Sequence, residues 1–418
     1  MNASLVAAHT TCRTCKRSSF IPLFSLGMTP LANAFLSKKQ LDEPELYFPL
    51  ELYLCRHCGL VQLGHVVSPA VLFGNYVYVS STSSVFVGHF ESYAKELVTR
   101  LKLHSDSLAV DIGSNDGILL KPFQALGVRV LGVEPAAKIA EQARKAGIPT
   151  LPQFFSSKTA TNIVNKYGKA SVISANNVFA HIDDLDEVVK GVKTLLDPSG
   201  MFVIEAPYLV DFLQKNYFDL VYHEHLSYLS IRPLQALFDR FDMQVVDVQK
   251  QTVHGGSIRV FVAHKKSEHT VRPTVARYLQ NEQKMKLYDG QTYSLFAKKI
   301  LENKARLVGL LARLKSRGAT IAGYGAPAKG NTLLNYFGIG KEVLDFIVDD
   351  SPWKQNLFTP GTHIPVVSSE MLYKKKTDYL LILAWNFAPS IIHMHKRYHE
   401  DGGRFIVPVP RPRILHTI

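Results

Sequence analysis

The sequence predicts an α/β protein in which a small cysteine-rich unit precedes two doubly wound units. All four cysteines of the chain lie within its first 58 residues. Short apolar strands then alternate with helical segments from about residue 105, and the alternation returns from about residue 320. Such alternation is typical of mostly parallel sheets that are covered by helices. We expect three domains, at residues 1–70, 71–270 and 271–418.

The composition is that of an ordinary globular protein with room for two or three domains. The chain has 418 residues, of which 46% are hydrophobic and 20% are charged. No apolar run reaches the roughly 18 residues that a membrane-spanning helix needs. Residues 1–11 lack the basic start and apolar centre of a signal peptide. We expect a soluble, cytoplasmic monomer with no membrane partner.

The positive charge is concentrated towards the C-terminal end. The net charge is +13, and residues 271–418 contribute +11 of it, from 22 Lys and Arg against 11 Asp and Glu. This surplus has two interpretations. It can be the solvated face of a long helix at 272–317, or it can attract an anionic ligand such as a nucleotide or a nucleic acid.

The four cysteines form two Cys-x-x-Cys pairs that are separated by 39 residues: Cys12, Cys15, Cys55 and Cys58. Each pair makes a turn with two thiolates, and two such turns supply the four ligands of a tetrahedral, structural Zn²⁺. A zinc ion with four thiolates carries a charge of −2, which cancels the +2 of residues 1–75. Because no basic surplus is left for phosphates, we expect no nucleic-acid partner.

A glycine-rich turn follows the first strand of the central unit and is the candidate cofactor loop. The strand at 107–112 leads into the turn GSNDG at 113–117, and the next strand ends at Glu134. The turn lacks the G-x-G-x-x-G fingerprint of dinucleotide sites. Asp111, at the end of the first strand, suits a cationic ligand better than a pyrophosphate. Glu134 is placed to accept hydrogen bonds from ribose hydroxyls.

This combination resembles the class I S-adenosylmethionine methyltransferases, in which the corresponding loop holds the amino-acid part of a cationic cofactor. The resemblance implies a Rossmann-like fold for the central domain and S-adenosylmethionine as its cofactor. A Rossmann-like domain with another ligand remains the alternative. The expected cofactor-binding residues are Asp111, Gly113, Asn115, Gly117, Glu134, Asn176 and Asn177.

The segment 216–230, NYFDLVYHEHLSYLS, carries four consecutive residues suited to proton transfer: Tyr222, His223, Glu224 and His225. An imidazole accepts a proton near neutral pH, a phenol donates a hydrogen bond and a carboxylate can orient the base. In an extended backbone the two histidines share one side, so all four residues converge only where the backbone is irregular. The alternative interpretation is a polar loop with satisfied histidines.

A second glycine-rich turn, GYGAPAKGNT at 323–332, lies between a strand and a helix of the C-terminal unit. Such a turn presents backbone N–H groups to phosphate, although it is not a Walker A motif. The following strand ends where Rossmann-type folds contact ribose. We expect a nucleotide diphosphate here, with NAD as the alternative. The candidate residues are Lys329, Asn331, Thr332, Asp349 and Ser351.

These motifs, together with HGGSIR at 254–259, follow one another in a specific order. Over essentially its full length the chain resembles the sugar C-methyltransferases of deoxysugar biosynthesis. The resemblance implies a zinc-binding domain, a methyltransferase domain and a Rossmann-like domain. It further implies methyl transfer from S-adenosylmethionine to the carbon beside the ketone of a dTDP- or GDP-linked 4-keto-6-deoxysugar, with C3 favoured and C5 as the alternative.

The same resemblance implies roles for individual residues. His225 corresponds to the base that removes the proton beside the ketone, and His223 is the second candidate. Glu224 is expected to orient the base, and Tyr222 to hydrogen-bond the substrate or its enolate. Tyr76 is expected near the reacting centre.

Two other functions remain as alternatives. An NAD-dependent nucleotide-sugar oxidoreductase would use the C-terminal unit, but the missing fingerprint in the central unit and the acidic Asp111 count against it. A nucleic-acid methyltransferase would bind through the zinc unit, but the neutral charge of that unit counts against it.

Overall fold

The computed structural model describes residues 5–68, 71–72 and 84–415. Within these ranges the chain forms an N-terminal, a central and a C-terminal unit, each with its own main sheet. Within the same ranges, no helix is both long enough and apolar enough to cross a membrane. The α/β class expected from the sequence is confirmed, whereas the boundaries at residues 70 and 270 stay predictions.

The N-terminal unit is an antiparallel arrangement of short strands. Its strands are β1 (Val6–Ala8), β2 (Phe20–Pro30), β3 (Tyr47–Cys55), β4 (Val61–Leu63) and β5 (His65–Val67). Along β3, buried and partly exposed residues alternate, and Leu50, Leu52 and Leu54 are buried on one face. This alternation is the pattern of a strand with one face on the core.

The central unit is a seven-stranded sheet with the order β12-β13-β10-β9-β6-β7-β8. Strands β6 to β10 run parallel, and β13 is antiparallel to both of its neighbours. The strands from this stretch of the chain are β6 (Leu108–Ile112), β7 (Arg129–Val133), β8 (Thr150–Leu151), β9 (Ala170–Asn176), β10 (Leu196–Pro207), β11 (Ser227–Tyr228), β12 (Met243–Gln251) and β13 (Ser257–His264). The strand order reverses between β6 and β9, and ligands bind in the crevice at the carboxyl ends of strands at such a point.

Helices cover the central sheet and connect its strands. They are α1 (Ser84–Leu101), α2 (Leu120–Ala125), α3 (Ala137–Lys145), α4 (Ser157–Tyr167), α5 (Leu185–Leu195), α6 (Leu209–Gln214) and α7 (Ile231–Asp239). All five residues of β6 are buried, as expected for a parallel strand with helices on both faces.

One strand of the central stretch belongs to the N-terminal sheet. Strand β11 pairs with β4, so the order of that sheet is β11-β4-β3-β2. The polar segment 216–230 therefore leaves the central unit and completes the sheet of the zinc unit.

The C-terminal unit begins with two helices where the sequence suggested one long helix at 272–317. The helices α8 (Pro273–Lys284) and α9 (Gly290–Ser316) are separated by a turn in which Lys286 has a φ of 51°. Asp289 ends this turn by accepting a hydrogen bond from the Gln291 N–H at 2.9 Å, which caps α9. The predicted single helix is therefore interrupted at the turn that ends in Asp289, and helical periodicity alone does not reveal this interruption.

The sheet of the C-terminal unit has the strand order of a Rossmann fold. Its order is β16-β15-β14-β17-β18-β19, and all neighbours are parallel except β19. The elements are β14 (Ile321–Tyr324), α10 (Ala328–Phe337), β15 (Ile347–Val348), β16 (Val366–Val367), α11 (Glu370–Lys375), β17 (Tyr379–Ile382), α12 (Ala388–Met394), α13 (Lys396–Glu400), β18 (Arg404–Val407) and β19 (Arg413–Leu415). The order reverses between β14 and β17, which is the ligand position of this fold.

Candidate active site

The four cysteines meet in one cluster of the N-terminal unit. Their sulfur atoms all lie within 4.8 Å of one another. Cys12 and Cys58 are 3.4 Å apart, and Cys15 and Cys55 are 3.6 Å apart. Tetrahedral Zn²⁺ with bonds of about 2.3 Å places its sulfurs about 3.8 Å apart. The cluster therefore fits one zinc ion with four thiolate ligands.

Arg13 connects the zinc cluster to the polar segment, a role that no sequence pattern indicates. Arg13 follows Cys12 in the sequence, and its side chain is fully buried. Its guanidinium donates to the backbone oxygens of Leu63 at 2.9 Å and Leu226 at 3.3 Å, and to Asp183 at 2.9 Å. Leu226 directly follows His225, so the zinc unit holds the backbone next to the candidate base.

Side chains from two neighbouring strands of the central sheet meet at Asp111. One oxygen of its carboxylate accepts hydrogen bonds from the Ser174 hydroxyl at 2.6 Å and from the Asn176 amide at 3.2 Å. Burial raises the pKa of Asp111 to about 7, against the lowering effect of these two donors. A cationic ligand beside the carboxylate would favour its ionised form.

Glu134 organises the glycine-rich turn through backbone hydrogen bonds. Its two oxygens accept from the N–H groups of Asn115 at 2.9 Å and Ala136 at 2.8 Å. Gly113 and Gly117 in the turn have φ values of 66° and 80°. A Cβ on Gly113 would lie 2.7 Å from a methyl group of Val178, so the turn requires glycine there for both torsion and space.

Several polar atoms around this turn are buried without a hydrogen-bond partner among the described residues. They belong to Ser114, Asp116, Asn176 and Asn177. Asn177 also has a φ of 54°. Buried polar groups are normally satisfied, so these atoms indicate a polar ligand. Together with the acidic Asp111 and Glu134, they fit the ribose and the positively charged methionine part of S-adenosylmethionine.

The HGGSIR segment has a structural role at its last residue. The guanidinium of Arg259 donates to the buried Glu205 at 2.8 and 3.0 Å, and His89 contacts the other oxygen of Glu205 at 2.6 Å. The backbone oxygen of Glu205 in turn accepts from the Asn177 N–H at 2.7 Å. This ion pair therefore holds the residue to which the loop after β9 is bonded.

Tyr222 and His225 form a hydrogen-bonded pair at the centre of the polar segment. The backbone is not extended here: the His225 N–H donates to the Tyr222 backbone oxygen at 2.9 Å and closes a turn. The turn brings the Tyr222 hydroxyl to 2.7 Å from Nε2 of His225. Nδ1 of His225 lies 2.7 Å from the backbone oxygen of Leu220. Because that oxygen can only accept, Nδ1 carries the proton and Nε2 carries the lone pair.

Glu224 has a partner in the N-terminal unit. Its carboxylate accepts a hydrogen bond from the Asn33 amide at 2.6 Å, while Nδ1 of His225 meets the Leu220 backbone oxygen. The expected role of Glu224 in orienting the base stays a prediction. Burial raises the pKa of Glu224 to about 7, against the lowering effect of Asn33.

His223 lies apart from His225. Its Nε2 is 3.3 Å from the backbone oxygen of Phe48, and the ring is buried against the N-terminal sheet. Burial lowers the pKa of His223 to about 4, which makes it a weak base. The shared side that an extended backbone predicts for the two histidines is wrong, because residues 222–225 form a turn.

A second histidine beside His225 was not singled out from the sequence. The rings of His181 and His225 have centroids 4.9 Å apart. Burial lowers the pKa of His181 to about 4, so this ring is neutral near pH 7. A small cavity next to His225 has aromatic walls formed by Tyr208, Phe212 and Tyr228. The only sequence signal for His181 was its place shortly after β9, beyond Asn176 and Asn177.

The C-terminal candidates occupy two places. Asp349 accepts from the N–H groups of Ala326 at 2.7 Å and Ser351 at 2.9 Å, so it shapes the glycine-rich turn. Asn331 donates from its amide to the backbone oxygen of Ala32 at 2.7 Å. Asn331 and Thr332 line a small pocket that also contains Tyr222 and His223.

Lys329 lies at the point where the C-terminal strand order reverses. Its ammonium donates to the Asn386 side chain and lies 4.3 Å from the centre of the Trp385 ring. Burial lowers the pKa of Lys329 to about 8. Tyr76 lies outside the described residues.

The comparisons with known proteins match all three units. Residues 12–73 match a zinc binding domain model, residues 86–248 a methyltransferase domain model, and residues 252–410 the C-methyltransferase C-terminal domain. The chain is 41% identical to the C-methyltransferase NovU of Streptomyces niveus over 404 residues, which are 97% of this chain and 96% of NovU.

The chain belongs to the C-methyltransferase family.

More distant relatives match a smaller share of the chain. The ubiquinone biosynthesis O-methyltransferase of Brucella ovis is 23% identical over 154 residues, which cover 33% of this chain and 60% of that protein. A solved structure of the magnesium protoporphyrin IX methyltransferase of Synechocystis with bound SAH covers 46% of this chain and 91% of its own, at 13% identity and a TM-score of 0.35.

Membership of the family confirms three expectations from the sequence. The protein is an S-adenosylmethionine-dependent C-methyltransferase, it has a zinc-binding N-terminal domain, and its central domain is the methyltransferase domain. The roles of the individual site residues, the nucleotide sugar and the methylated carbon stay predictions.

Proposed function

We propose that this C-methyltransferase methylates the carbon beside the ketone of a nucleotide-diphosphate-linked 4-keto-6-deoxysugar. The observation that carries the proposal is the Tyr222–His225 pair, in which the Leu220 backbone oxygen fixes the proton on Nδ1 and leaves the lone pair on Nε2. A carbon acceptor needs such a base, because carbon is not a nucleophile until it loses a proton. C3 is the favoured position and C5 is the alternative.

His225 is the proposed general base. Its Nε2 takes the proton from the carbon beside the ketone, and the electron pair of the broken C–H bond moves to the ketone oxygen as an enolate. The imidazolium that forms keeps its Nδ1–H bonded to the Leu220 oxygen. The base therefore has one orientation before and after the proton transfer.

Tyr222 is the proposed donor to the enolate. Its hydroxyl contacts Nε2 of His225 at 2.7 Å. With the substrate beside Nε2, the hydroxyl would donate its hydrogen bond to the ketone oxygen instead. A donor aimed at a developing oxyanion stabilises the transition state more than the ground state.

The central unit is proposed to place the methyl donor. S-adenosylmethionine, when bound, supplies the methyl group that the enolate carbon attacks. Asp111 and the amide of Asn176 lie at the carboxyl ends of adjacent strands and would hold the cationic methionine part. Glu134 would hold the ribose hydroxyls with the lone pairs that its two backbone hydrogen bonds leave available.

The C-terminal unit is proposed to hold the nucleotide diphosphate. The reversal point of its sheet carries the turn at 323–332, which Asp349 shapes through the Ala326 N–H. Most of the net positive charge of the chain lies in this unit, which favours an anionic ligand. Thymine and guanine nucleotides both fit these observations.

The test is incubation of the purified protein with S-adenosylmethionine and dTDP- and GDP-linked 4-keto-6-deoxysugars in deuterated water, followed by mass spectrometry. We expect one of these sugars to gain a single methyl group, with deuterium exchanged beside its ketone. Methyl transfer to oxygen or nitrogen of the sugar, or the absence of both signals across the panel, would overturn the proposal.

A further inference from the structure

Asp219 is a buried carboxylate that immediately precedes Leu220 in the sequence, and the backbone oxygen of Leu220 is the one that orients His225. Asp219 lies in the short 3-10 helix Phe218–Leu220, and its side chain has no exposed surface. A buried charge is costly unless other groups compensate it. No step of the proposed reaction uses this carboxylate, so its presence next to Leu220 needs a separate explanation.

The groups that compensate Asp219 come from the C-terminal unit. The indole N–H of Trp385 donates to Oδ2 of Asp219 at 2.5 Å. The ammonium of Lys329 lies 4.3 Å from the centre of the same indole ring. The carboxylate and the ammonium thus contact the same tryptophan, and their opposite charges attract each other. Burial raises the pKa of Asp219 to about 6, and the charge of Lys329 opposes this rise.

Aromatic stacking holds the same turn on the C-terminal unit. The ring of Tyr217 lies 4.1 Å from that of Trp385, and the ring of Phe218 stacks on Phe337 at 4.9 Å between centroids. Tyr217, Phe218 and Asp219 therefore all contact the C-terminal unit. The next residue is Leu220, whose backbone oxygen meets Nδ1 of His225 at 2.7 Å.

We propose that Asp219 is a positioning residue for the base, held by Trp385 and Lys329, and that it sets the place of the Leu220 oxygen against His225. This inference rests on the proposed role of His225. It assigns to the C-terminal unit a second task beside nucleotide binding, since that unit then assembles the base. It also adds to the role expected for Lys329: besides binding phosphate, its ammonium stabilises the charge of Asp219.

The first test needs no sugar substrate. Histidines labelled with ¹⁵N report by NMR which nitrogen of His225 carries the proton, and His225→Asn identifies the signal. We expect the Nδ1–H form in the parent protein and a shift towards Nε2–H in Trp385→Phe, which keeps a ring but removes the N–H donor. Trp353→Phe is the matched control, because Trp353 is the other tryptophan of the chain and is 58% exposed.

A second variant tests the contribution of Lys329 to the Lys329–Trp385–Asp219 contacts. Lys329→Met keeps most of the aliphatic stem beside the Trp385 ring and removes the charge. We expect the same shift of the His225 signal, so the inference stays testable if Trp385→Phe does not fold. An unchanged His225 signal in either folded variant would overturn the inference, whatever the substrate of the enzyme proves to be.

The functional test separates a positioning role from simple stabilisation. We expect Trp385→Phe to slow deuterium exchange beside the ketone about 10- to 100-fold, the factor of a hydrogen bond to a charged group, and to leave the KM for the sugar within about twofold. In a His225→Asn background, Trp385→Phe should not slow the exchange further, because the contact between Trp385 and Asp219 acts through His225. An equal cost in both backgrounds would contradict the inference, whereas normal exchange in His225→Asn would instead contradict the proposed base.

Discussion

At the scale of single residues, hydrogen bonds decide which of two neighbouring histidines can act as a base. His225 lies between an obligate acceptor, the Leu220 backbone oxygen, and the hydroxyl of Tyr222. His223 is buried against the Phe48 backbone, and burial lowers its pKa to about 4. The proposed base is therefore the histidine whose lone pair faces another side chain rather than the interior of a sheet.

Glu224 gives a prediction about the pH dependence of stability. Burial raises its pKa from 4.5 to about 7, so the folded state binds this proton more tightly than the unfolded state does. The stabilisation is fully present below pH 4.5 and is lost as the pH rises to about 7. Glu224→Gln mimics the protonated acid. We expect it to be more stable than the parent at pH 8, by up to about 3 kcal/mol, and similar at pH 5.

Urea unfolding of both proteins at pH 5, 6, 7 and 8 measures this difference. Asp111 titrates in the same range, but it is present in both proteins and cancels in the comparison. A difference in stability that does not change with pH would show that Glu224 is ionised throughout this range.

At the scale of the elements, the glycine-rich turn after β6 is predicted to be intolerant of a single methyl group. Gly113→Ala adds a Cβ 2.7 Å from Val178 at a φ of 66°. We expect at least tenfold weaker binding of S-adenosylmethionine, measured by calorimetry. Gly127→Ala is the control, because Gly127 has a φ of 81° but open space around it.

The control should lose about 1 kcal/mol of stability from the torsion alone and keep its cofactor affinity. Equal affinities for the two variants would show that the turn tolerates the added methyl group and would contradict this prediction.

The pairing of β11 with β4 predicts that zinc removal affects catalysis. The Arg13 side chain and this strand pair join the cysteine cluster to the residue after His225. We expect chelation to release one zinc per chain and to abolish methyl transfer. His57→Ala should keep both zinc and activity, because the His57 ring contacts Arg17 and lies outside the cysteine cluster. Full turnover by zinc-free protein would contradict this coupling.

The sequence predicts elements and strand ends better than it predicts contacts between units. Asp111 and Asn176 could be placed together because parallel strands end at the same edge of a sheet. The Tyr222–His225 pair could not, since alternation describes an extended strand and the chain makes a turn there. The contacts of Arg13, Asp219 and Lys329 join residues 50 or more positions apart, and such packing has no local sequence pattern.

At the scale of the whole molecule, the three units share one junction. The N-terminal sheet takes up β11, the central sheet carries the expected cofactor residues at its strand ends, and the C-terminal unit holds Asp219 through Trp385. The segment from Tyr217 to Tyr228 contacts all three. A base placed on this segment is correctly formed only when the units are assembled around it.

The measurement that tests this account most directly is deuterium exchange beside the ketone of the sugar nucleotide, with S-adenosylhomocysteine present so that no methyl group is transferred. Mass spectrometry follows the exchange for the parent protein, for His225→Asn and for His104→Asn, a control on an exposed loop. We expect exchange in the parent and the control, and its loss in His225→Asn with the affinity for S-adenosylhomocysteine retained. Exchange at the parental rate in His225→Asn would show that another group removes the proton.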